Sequence, residues 1–381
     1  MKILHTIPFF SDEYGGSVEI TKHQIEELIK RGIEVSVLTS KTPNQNIKNE
    51  NTNNPSKHIL FLNSIFSLGM YYFTPTIIPY LRKLDFQILH GHLYRNFQTD
   101  SSILYAKFKK IPIILSPHGA IPYVNRTLIK RFYDRITLHS ILNAVDVFLA
   151  ETNFEKESLI QFGISPPKIK YIPNGIDTSF FRRCDDSVGS IKLKYNITES
   201  KIITYVGRLD RIKGLFFLLK VFKELMHEFQ DFKLLLVGED FGIKENLQKF
   251  ANKLNLQKKV LFLGFQPKNT LKIIYNASDI VVLPSRYESA GLSILESAAC
   301  EKPVIGSNTG GIQEYIIDNW NGFLVDYGAI KIWKEKILYL LKNEDIAREF
   351  GKNGRRLVEN KFNWTRIGKL LETLYFKLIN N

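Results

Sequence analysis

Residues suited to chemistry gather in two short runs in the second half of the chain. Gly207-Arg208-Leu209-Asp210-Arg211-Ile212-Lys213-Gly214 sets a guanidinium and an ammonium between two glycines. A planar fork of donors and a compact point charge together suit a pyrophosphate. Taken alone, two solvated surface cations account for the run equally well. The second run is Pro284-Ser285-Arg286-Tyr287-Glu288-Ser289-Ala290-Gly291-Leu292-Ser293-Ile294-Leu295-Glu296. Small and apolar residues after Gly291 predict a helix that opens there. The N–H groups of Ala290, Gly291 and Leu292 then lack helical partners and form an anion site. Glu288 falls just before that end, and Glu296 lies about one and a half turns inside the helix. Carboxylates are ill suited to phosphate but accept hydrogen bonds from vicinal hydroxyls, as the acidic residue of dinucleotide folds does from ribose. A solvent-facing Glu296 fits poorly with Leu295 and Ala298-Ala299 beside it.

In the first half, Gly15-Gly16-Ser17 precedes a helix directly after the first apolar run, with Ser17 as its expected cap. Two glycines allow close backbone approach, although most such pairs are plain turns. His118 ends another apolar run in Ser116-Pro117-His118-Gly119, and His90 and His92 end the one before it. A lone histidine is more often structural than catalytic, and its place at a strand end brings His118 to even odds. Asn174-Gly175 reads as a turn. No Gly-x-Gly-x-x-Gly occurs, which counts against a nicotinamide enzyme.

The elements that must position these residues alternate between short apolar runs and longer helix-period segments, the pattern of βαβ units and parallel sheet. Strands are predicted at 2–7, 34–39, 87–90, 111–116, 146–150 and 169–172, then at 201–206, 232–237, 260–263, 279–283, 303–305 and 322–325. A polar stretch around 181–190 separates the two series and places the domain boundary near 185. The expected fold class is α/β: two doubly wound, Rossmann-like domains, 1–185 and 186–364, facing across a cleft. Ligands of such sheets bind outside the carboxyl ends of strands, where both runs fall. Residues 41–57 read as a mobile surface loop. The stretch 58–81 lacks charged residues, but its two prolines leave a loop plus a core helix rather than a membrane span. Phe66, Met70, Tyr71, Tyr72 and Phe73 are its candidates for shallow membrane contact. A helix over 127–142 sets Lys130, Arg131 and Arg135 beside Leu128, Ile129, Phe132 and Ile136. A solvated face over a core stripe competes there with a basic membrane-facing one.

The 381 residues are 44% hydrophobic and 24% charged, which suits two globular domains and excludes disorder, collagen and disulfide-stapled mini-proteins. Cys184 and Cys300 are the only cysteines, so neither a cysteine metal cluster nor a disulfide framework is expected, and an intracellular setting suits the chain. The start is too short and too interrupted in its apolar run for a signal peptide. The formal net charge of +14 implies an anionic partner. Both halves share the excess without a basic tail, which favours a phosphorylated ligand or an anionic membrane surface over nucleic acid.

Together these loops resemble the retaining GT-B glycosyltransferases of the group 1 (family 4) class. The pieces fall in that family's order: Gly15-Gly16, His118, Ile172-Pro173-Asn174-Gly175-Ile176-Asp177, Gly207-Arg208 with Lys213-Gly214, and Glu288 with Glu296. Pro303-Val304, Gly310-Gly311 with Glu314, and Phe362-Asn363-Trp364 before a final helix complete the set. The resemblance covers essentially the whole chain. It implies that Arg208 and Lys213 hold the donor pyrophosphate and stabilise the leaving nucleoside diphosphate. Glu296 binds the ribose diol, and Glu288 with the amides of Ala290, Gly291 and Leu292 holds the donor sugar. His118 contacts the transferred sugar, while Gly15-Gly16 lets the first domain close over the phosphates. A C-terminal helix, 365–381, packs back on the first domain.

The same resemblance implies a nucleotide sugar of UDP or GDP type as donor substrate, no permanently bound cofactor and no metal. The acceptor is a glycan or a lipid-linked molecule, used in polysaccharide or glycolipid synthesis in the cytoplasm or at the cytoplasmic face of a membrane. Ala290 stands where the family has an aromatic residue, so the shape of the donor-sugar pocket does not carry over. Val237-Gly238-Glu239-Asp240-Phe241-Gly242 replaces the usual Gly-x-Gly-Pro loop, so neither does the identity of the base. The family's chemistry is a front-face displacement in which the departing phosphate deprotonates the acceptor. No Asp-x-Asp pair occurs to hold a bridging metal, which leaves the charge to Arg208 and Lys213. A sugar-nucleotide epimerase of the same architecture, a nicotinamide oxidoreductase and a non-catalytic membrane-surface subunit are the competing functions.

Overall fold

In the computed structural model, which describes residues 1–11, 16–41, 57–68, 71–121, 128–184 and 188–380, the first half of the chain forms a parallel sheet. Its strands are β1 (Lys2–Thr6), β2 (Glu34–Ser40), β3 (Lys57–Leu62), β6 (Ile88–His92), β7 (Ile113–Ser116), β8 (Val147–Ala150) and β9 (Ile169–Tyr171). A small antiparallel hairpin, β4 (Phe66–Leu68) with β5 (Tyr71–Phe73), lies outside that sheet. The strand order is β3-β2-β1-β6-β7-β8-β9. The second sheet contains β10 (Lys201–Val206), β11 (Phe232–Val237), β12 (Val260–Gly264), β13 (Ile280–Leu283), β14 (Val304–Ser307) and β15 (Gly322–Val325), in the order β12-β11-β10-β13-β14-β15. That order is the doubly wound arrangement, with its switch point between β10 and β13. Helices cover both faces, so consecutive residues Leu234, Leu235, Leu236 and Val237 are all fully buried. Each contributes roughly 1.5–3 kcal/mol.

The chain divides into two units, Met1–Asn174 with Trp364–Asn381, and Gly175–Asn363. The division falls before position 185, and residues 185–187 lie outside the described residues. Residues 175–184 belong to the second unit because its helices hold them. Arg355 donates to the carbonyls of Thr178 and Phe181, and Asn276 accepts from the Cys184 N–H at 2.8 Å. The final helix, Trp364–Ile379, belongs to the first unit. Its Trp364 stacks on His23 and its Glu372 pairs with Arg31 at 3.2 Å.

The first helix, Gly16–Lys30, begins one residue before Ser17, so Ser17 is not its cap. Gly15 and residues 42–56 lie outside the described residues. The stretch 58–81 departs from the loop-plus-helix expectation: it holds β3, the hairpin and the helix Ile77–Lys83. Strands this short show too few alternations to register as a period. Its membrane candidates separate, since Phe66 is 54% exposed whereas Tyr72 is buried at 4%; Met70 lies outside the described residues. Among the described residues, no helix is long and apolar enough to cross a membrane.

Helices Phe97–Lys109 and Leu128–Ala144 are joined by buried polar contacts. Tyr133 Oη donates to Asp100 Oδ2 at 2.5 Å, and Arg95 Nε to Asp134 Oδ1 at 2.8 Å. Burial pushes the Asp100 carboxyl up to about 7 against the pull of Tyr133 and Arg95. A carboxyl raised on folding stabilises below its unfolded value and loses that contribution as pH rises through the folded one. The first unit is therefore expected to lose stability between about pH 4 and 7. Asp100→Asn, whose amide oxygen still accepts from Tyr133, should remove part of that slope and gain on the order of 2–4 kcal/mol at pH 8. Urea unfolding at pH 5 and 8 reads the difference, and equal slopes in both proteins would show that Asp100 is ionised throughout.

Candidate functional site

The two chemistry-bearing runs of the second unit leave β10 and β13, the strands that flank its switch point. Asp210 caps the short turn Arg211–Lys213, and Arg286 N–H donates to Ile212 O at 2.8 Å, which ties that turn to the loop after β13. Gly214 makes the approach possible. Its φ is 72°, and a Cβ there would sit 2.0 Å from the Pro284 carbonyl oxygen. Lys213 Nζ thereby reaches Glu288 Oε2 at 2.5 Å, with side chains 11% and 12% exposed. The helix Leu292–Ala299 opens after Gly291, as its sequence predicts, and Ala290 and Gly291 are buried at its start. Gly310 lets a neighbouring loop close on this turn, because a Cβ there would meet Glu288 O at 2.0 Å. Gly311 N–H then donates to Glu288 O at 2.8 Å.

Glu296 is half-buried and accepts from the fully buried Tyr275 hydroxyl at 2.6 Å. Burial and the nearby Glu296 push the Cys300 thiol at this helix's end up to about 12. Arg208 rests on the Phe241 ring at 4.7 Å, and Tyr205 Oη holds the Arg208 carbonyl at 2.7 Å. Phe241 belongs to the run that departs from the family loop. There Asp240 Oδ1 gathers the N–H groups of Gly242, Ile243 and Lys244. Lys213, Glu288 and Gly291 thus lie on one connected pair of loops, Leu292 and Glu296 lie on the helix that follows, and Arg208 is on the same β10 exit.

In the first unit the histidines of three strand ends come together. His5 on β1 pairs in register with His90 on β6, and His92 is two residues on, so all three share one face. His118 follows β7 with φ 51°. Its Nε2 lies 2.9 Å from His92 Nδ1, and its Nδ1 lies 2.6 Å from Glu151 Oε1 at an ion-pair distance angled off the N–H direction. His90 is held by Tyr375 Oη at 2.7 Å and Ser116 Oγ at 2.8 Å. Burial lowers His5 to about 3 and holds His90 and His92 well below the ordinary imidazole value. Burial also opposes charge on His118, but Glu151 and then Glu155 outweigh it and raise its pKa.

The model of group 1 glycosyl transferases matches residues 190–357, and that of glycosyltransferase family 4 matches residues 14–180. The chain belongs to the group 1, family 4 glycosyltransferases. This makes it a nucleotide-sugar-dependent enzyme. The glycosyltransferase is 26% identical to the D-inositol 3-phosphate glycosyltransferase of Corynebacterium jeikeium, over 98% of this chain and 95% of that one. Against the enzyme of the same name from Segniliparus rotundus it is 32% identical, over 55% of this chain and 47% of that one. Its GT-B fold matches sucrose-phosphate synthase of Thermosynechococcus elongatus with a TM-score of 0.81 at 24% identity, covering 100% and 99% of the two chains. HepE of Anabaena, in complex with UDP and glucose, matches with a TM-score of 0.76 at 18% identity, covering 98% and 99%.

Three residues of the glycosyltransferase's first unit escape a reading of its sequence. Glu151 follows β8 as His118 follows β7, and that position was the available signal. Its Oε2 accepts from Asn174 Nδ2 at 3.1 Å, so Asn174, expected in a plain turn, instead supplies a buried donor from a stretch of backbone where no turn forms. Glu155 accepts from Gly119 N–H at 2.7 Å and Glu151 N–H at 2.9 Å, and burial beside Glu151 pushes its carboxyl up to about 7. His5 carries no local signal beyond its place in an apolar strand.

Proposed function

We propose that this glycosyltransferase is retaining and metal-independent, and moves a sugar from a UDP- or GDP-type donor to a hydroxyl of a glycan or lipid-linked acceptor. The observation that carries this is the Lys213–Glu288 pair at the switch point, which joins a phosphate-binding cation to a sugar-binding carboxylate. Arg208 and Lys213 supply the charge that a bridging metal would otherwise bring to the departing diphosphate. Glu296 takes the ribose diol, while Glu288 and the amides of Ala290, Gly291 and Leu292 take the sugar hydroxyls. His118 and the Gly15-Gly16 pair act from the first unit as the family pattern implies. A double displacement needs one carboxylate as nucleophile and another as acid/base. Glu288 is engaged with Lys213 and Glu296 with Tyr275, which favours front-face displacement instead. In that reaction the C–O bond to the diphosphate breaks as the acceptor oxygen bonds to the same carbon. The acceptor proton goes to the departing phosphate oxygen.

The acceptor is the freer assignment. The first unit exposes Leu104, Phe108 and Phe132 together with Lys107, Lys109 and Arg135. Apolar and basic residues on one unit suit an anionic membrane surface on the cytoplasmic side. The named substrate of the Corynebacterium relative also makes a phosphorylated alcohol a sensible trial acceptor. Incubation with UDP- and GDP-sugars and lipid-linked acceptors, in anionic and neutral vesicles with excess chelator, tests the whole proposal. Expected is a product that keeps the donor's anomeric configuration by NMR, forms in chelator, and forms faster on anionic vesicles. Inversion or loss of activity in chelator would refute the mechanism, and indifference to vesicle charge would refute the membrane acceptor.

A further inference from the structure

The histidines of the first unit form a directed row. His5 Nδ1 lies 2.8 Å from His92 Nε2, and His92 Nδ1 lies 2.9 Å from His118 Nε2. Successive rings are tilted by only 15° and 18°, with centroids 5.1 and 5.2 Å apart. Nitrogens so much closer than centroids mean that the rings meet edge to edge. Thr21 gives the row its direction. Its hydroxyl donates its one proton to Ser17 O at 2.8 Å, so its 3.2 Å contact with His92 Nδ1 requires that nitrogen to be the donor. His92 is therefore the Nδ1–H tautomer. His118 Nε2 then accepts, leaving the His118 proton on Nδ1, the nitrogen 2.6 Å from Glu151 Oε1. His92 Nε2 in turn accepts from His5 Nδ1–H, and the bare lone pair of the row falls on His5 Nε2, which is buried without a partner.

We propose that Glu151, His92 and His5 are positioning residues for His118. They hold its ring in one tautomer, with Nε2 bonded to His92 and Nδ1 at ion-pair distance from Glu151, and so fix the Pro117-His118-Gly119 turn for its contact with the sugar. The proposal rests on the assignment of His118 to the transferred sugar. Glu151 is clamped by Asn174 on its other oxygen, and its side chain is 4% exposed. Glu155 from the helix Asn153–Gln161, His90 on β6 and Tyr375 from the final helix are the other titratable groups facing the row. Adding a proton to His118 puts a hydrogen on its Nε2. His92 must then release its Nδ1 proton and take one on Nε2, displacing the His5 Nδ1 proton to His5 Nε2, where nothing accepts it. The three rings should consequently change tautomer together.

Long-range 15N–1H spectra of the histidine-labelled full chain test this directly. Expected are Nδ1–H signatures for His5, His92 and His118 at high pH, and a common midpoint for all three as His118 charges. Glu151→Gln should lower that midpoint by at least about one pH unit and lower kcat about tenfold or more, with the donor KM within about threefold. Glu151→Asp should restore part of both. Thr21→Val, a milder change, should let His92 populate the Nε2–H form. Independent titrations, an Nε2–H His92 in the natural protein, or a Glu151→Gln enzyme with natural kcat would each overturn the proposal. Natural turnover in His118→Ala would instead remove His118 from the sugar, a separate failure that leaves the spectra as predicted.

Discussion

Lys213→Ala should cut transfer by a factor on the order of 10²–10³ in kcat while the protein stays folded. In the proposed reaction the ammonium acts on charge that appears only as the glycosidic C–O bond breaks, so its loss should fall on kcat more than on donor KM. Folding survives because the turn does not depend on it. Asp210 caps the turn, and the Arg286–Ile212 and Lys213–Asp210 backbone bonds remain. Lys213→Arg should recover only part, since a planar fork replaces a point charge at a site shaped by Gly214 and Pro284. Glu288→Gln provides a control of opposite sign. In the free protein Glu288 holds Lys213, the cation proposed for the diphosphate, at 2.5 Å. Removing its charge should tighten nucleoside diphosphate binding a few-fold even as transfer falls. Steady-state rates, calorimetric binding of UDP and GDP, and far-UV circular dichroism together decide the matter. Natural kcat in a folded Lys213→Ala would exclude Lys213 from the reaction.

What could be read from the sequence divides along a physical line. Parallel strands covered on both faces are continuous apolar runs bounded by turns, so Lys201–Val206, Phe232–Val237 and Gly322–Val325 stand out residue for residue. The loops after β10 and β13 are legible for the same reason, because glycines and charges break abruptly into apolar surroundings. Lys213 and Glu288 are far apart in the chain, and their pairing depends on β10 lying beside β13, which no local pattern states. The histidine row is hidden more deeply. His5, His92, His118 and Glu151 leave four different strands, and they meet only through the order β1-β6-β7-β8. Thr152 masks Glu151 further, since it caps the helix Asn153–Gln161 and makes its neighbour look like an ordinary helix-start carboxylate. The division between units falls at 174/175 rather than near 185 for the opposite reason. A polar stretch resembles a linker, yet the segment leading into it is held to the second unit by Arg355 through the Thr178 and Phe181 carbonyls.

Glu296 offers the second large effect, and the test isolates a single contact. If its carboxylate accepts from the ribose hydroxyls, a nucleoside diphosphate lacking both should bind the natural enzyme about 10²–10⁴-fold more weakly, at roughly 1.5–3 kcal/mol for each of two charge-assisted bonds. Glu296→Ala should weaken the natural nucleotide by a similar factor and bind the two nucleotides equally well. Loss of discrimination matters more than loss of affinity, because a distorted site would weaken both ligands alike. The substitution has one structural side effect: the Tyr275 hydroxyl, fully buried, loses its 2.6 Å acceptor. Tyr275→Phe in the same background removes that orphan and should recover stability without recovering discrimination. Tyr275→Phe alone should keep most discrimination, since it frees the carboxylate from its inner anchor but leaves its charge in place. A Glu296→Ala enzyme that still prefers the full ribose would move Glu296 off the diol and leave it as the acceptor that satisfies Tyr275.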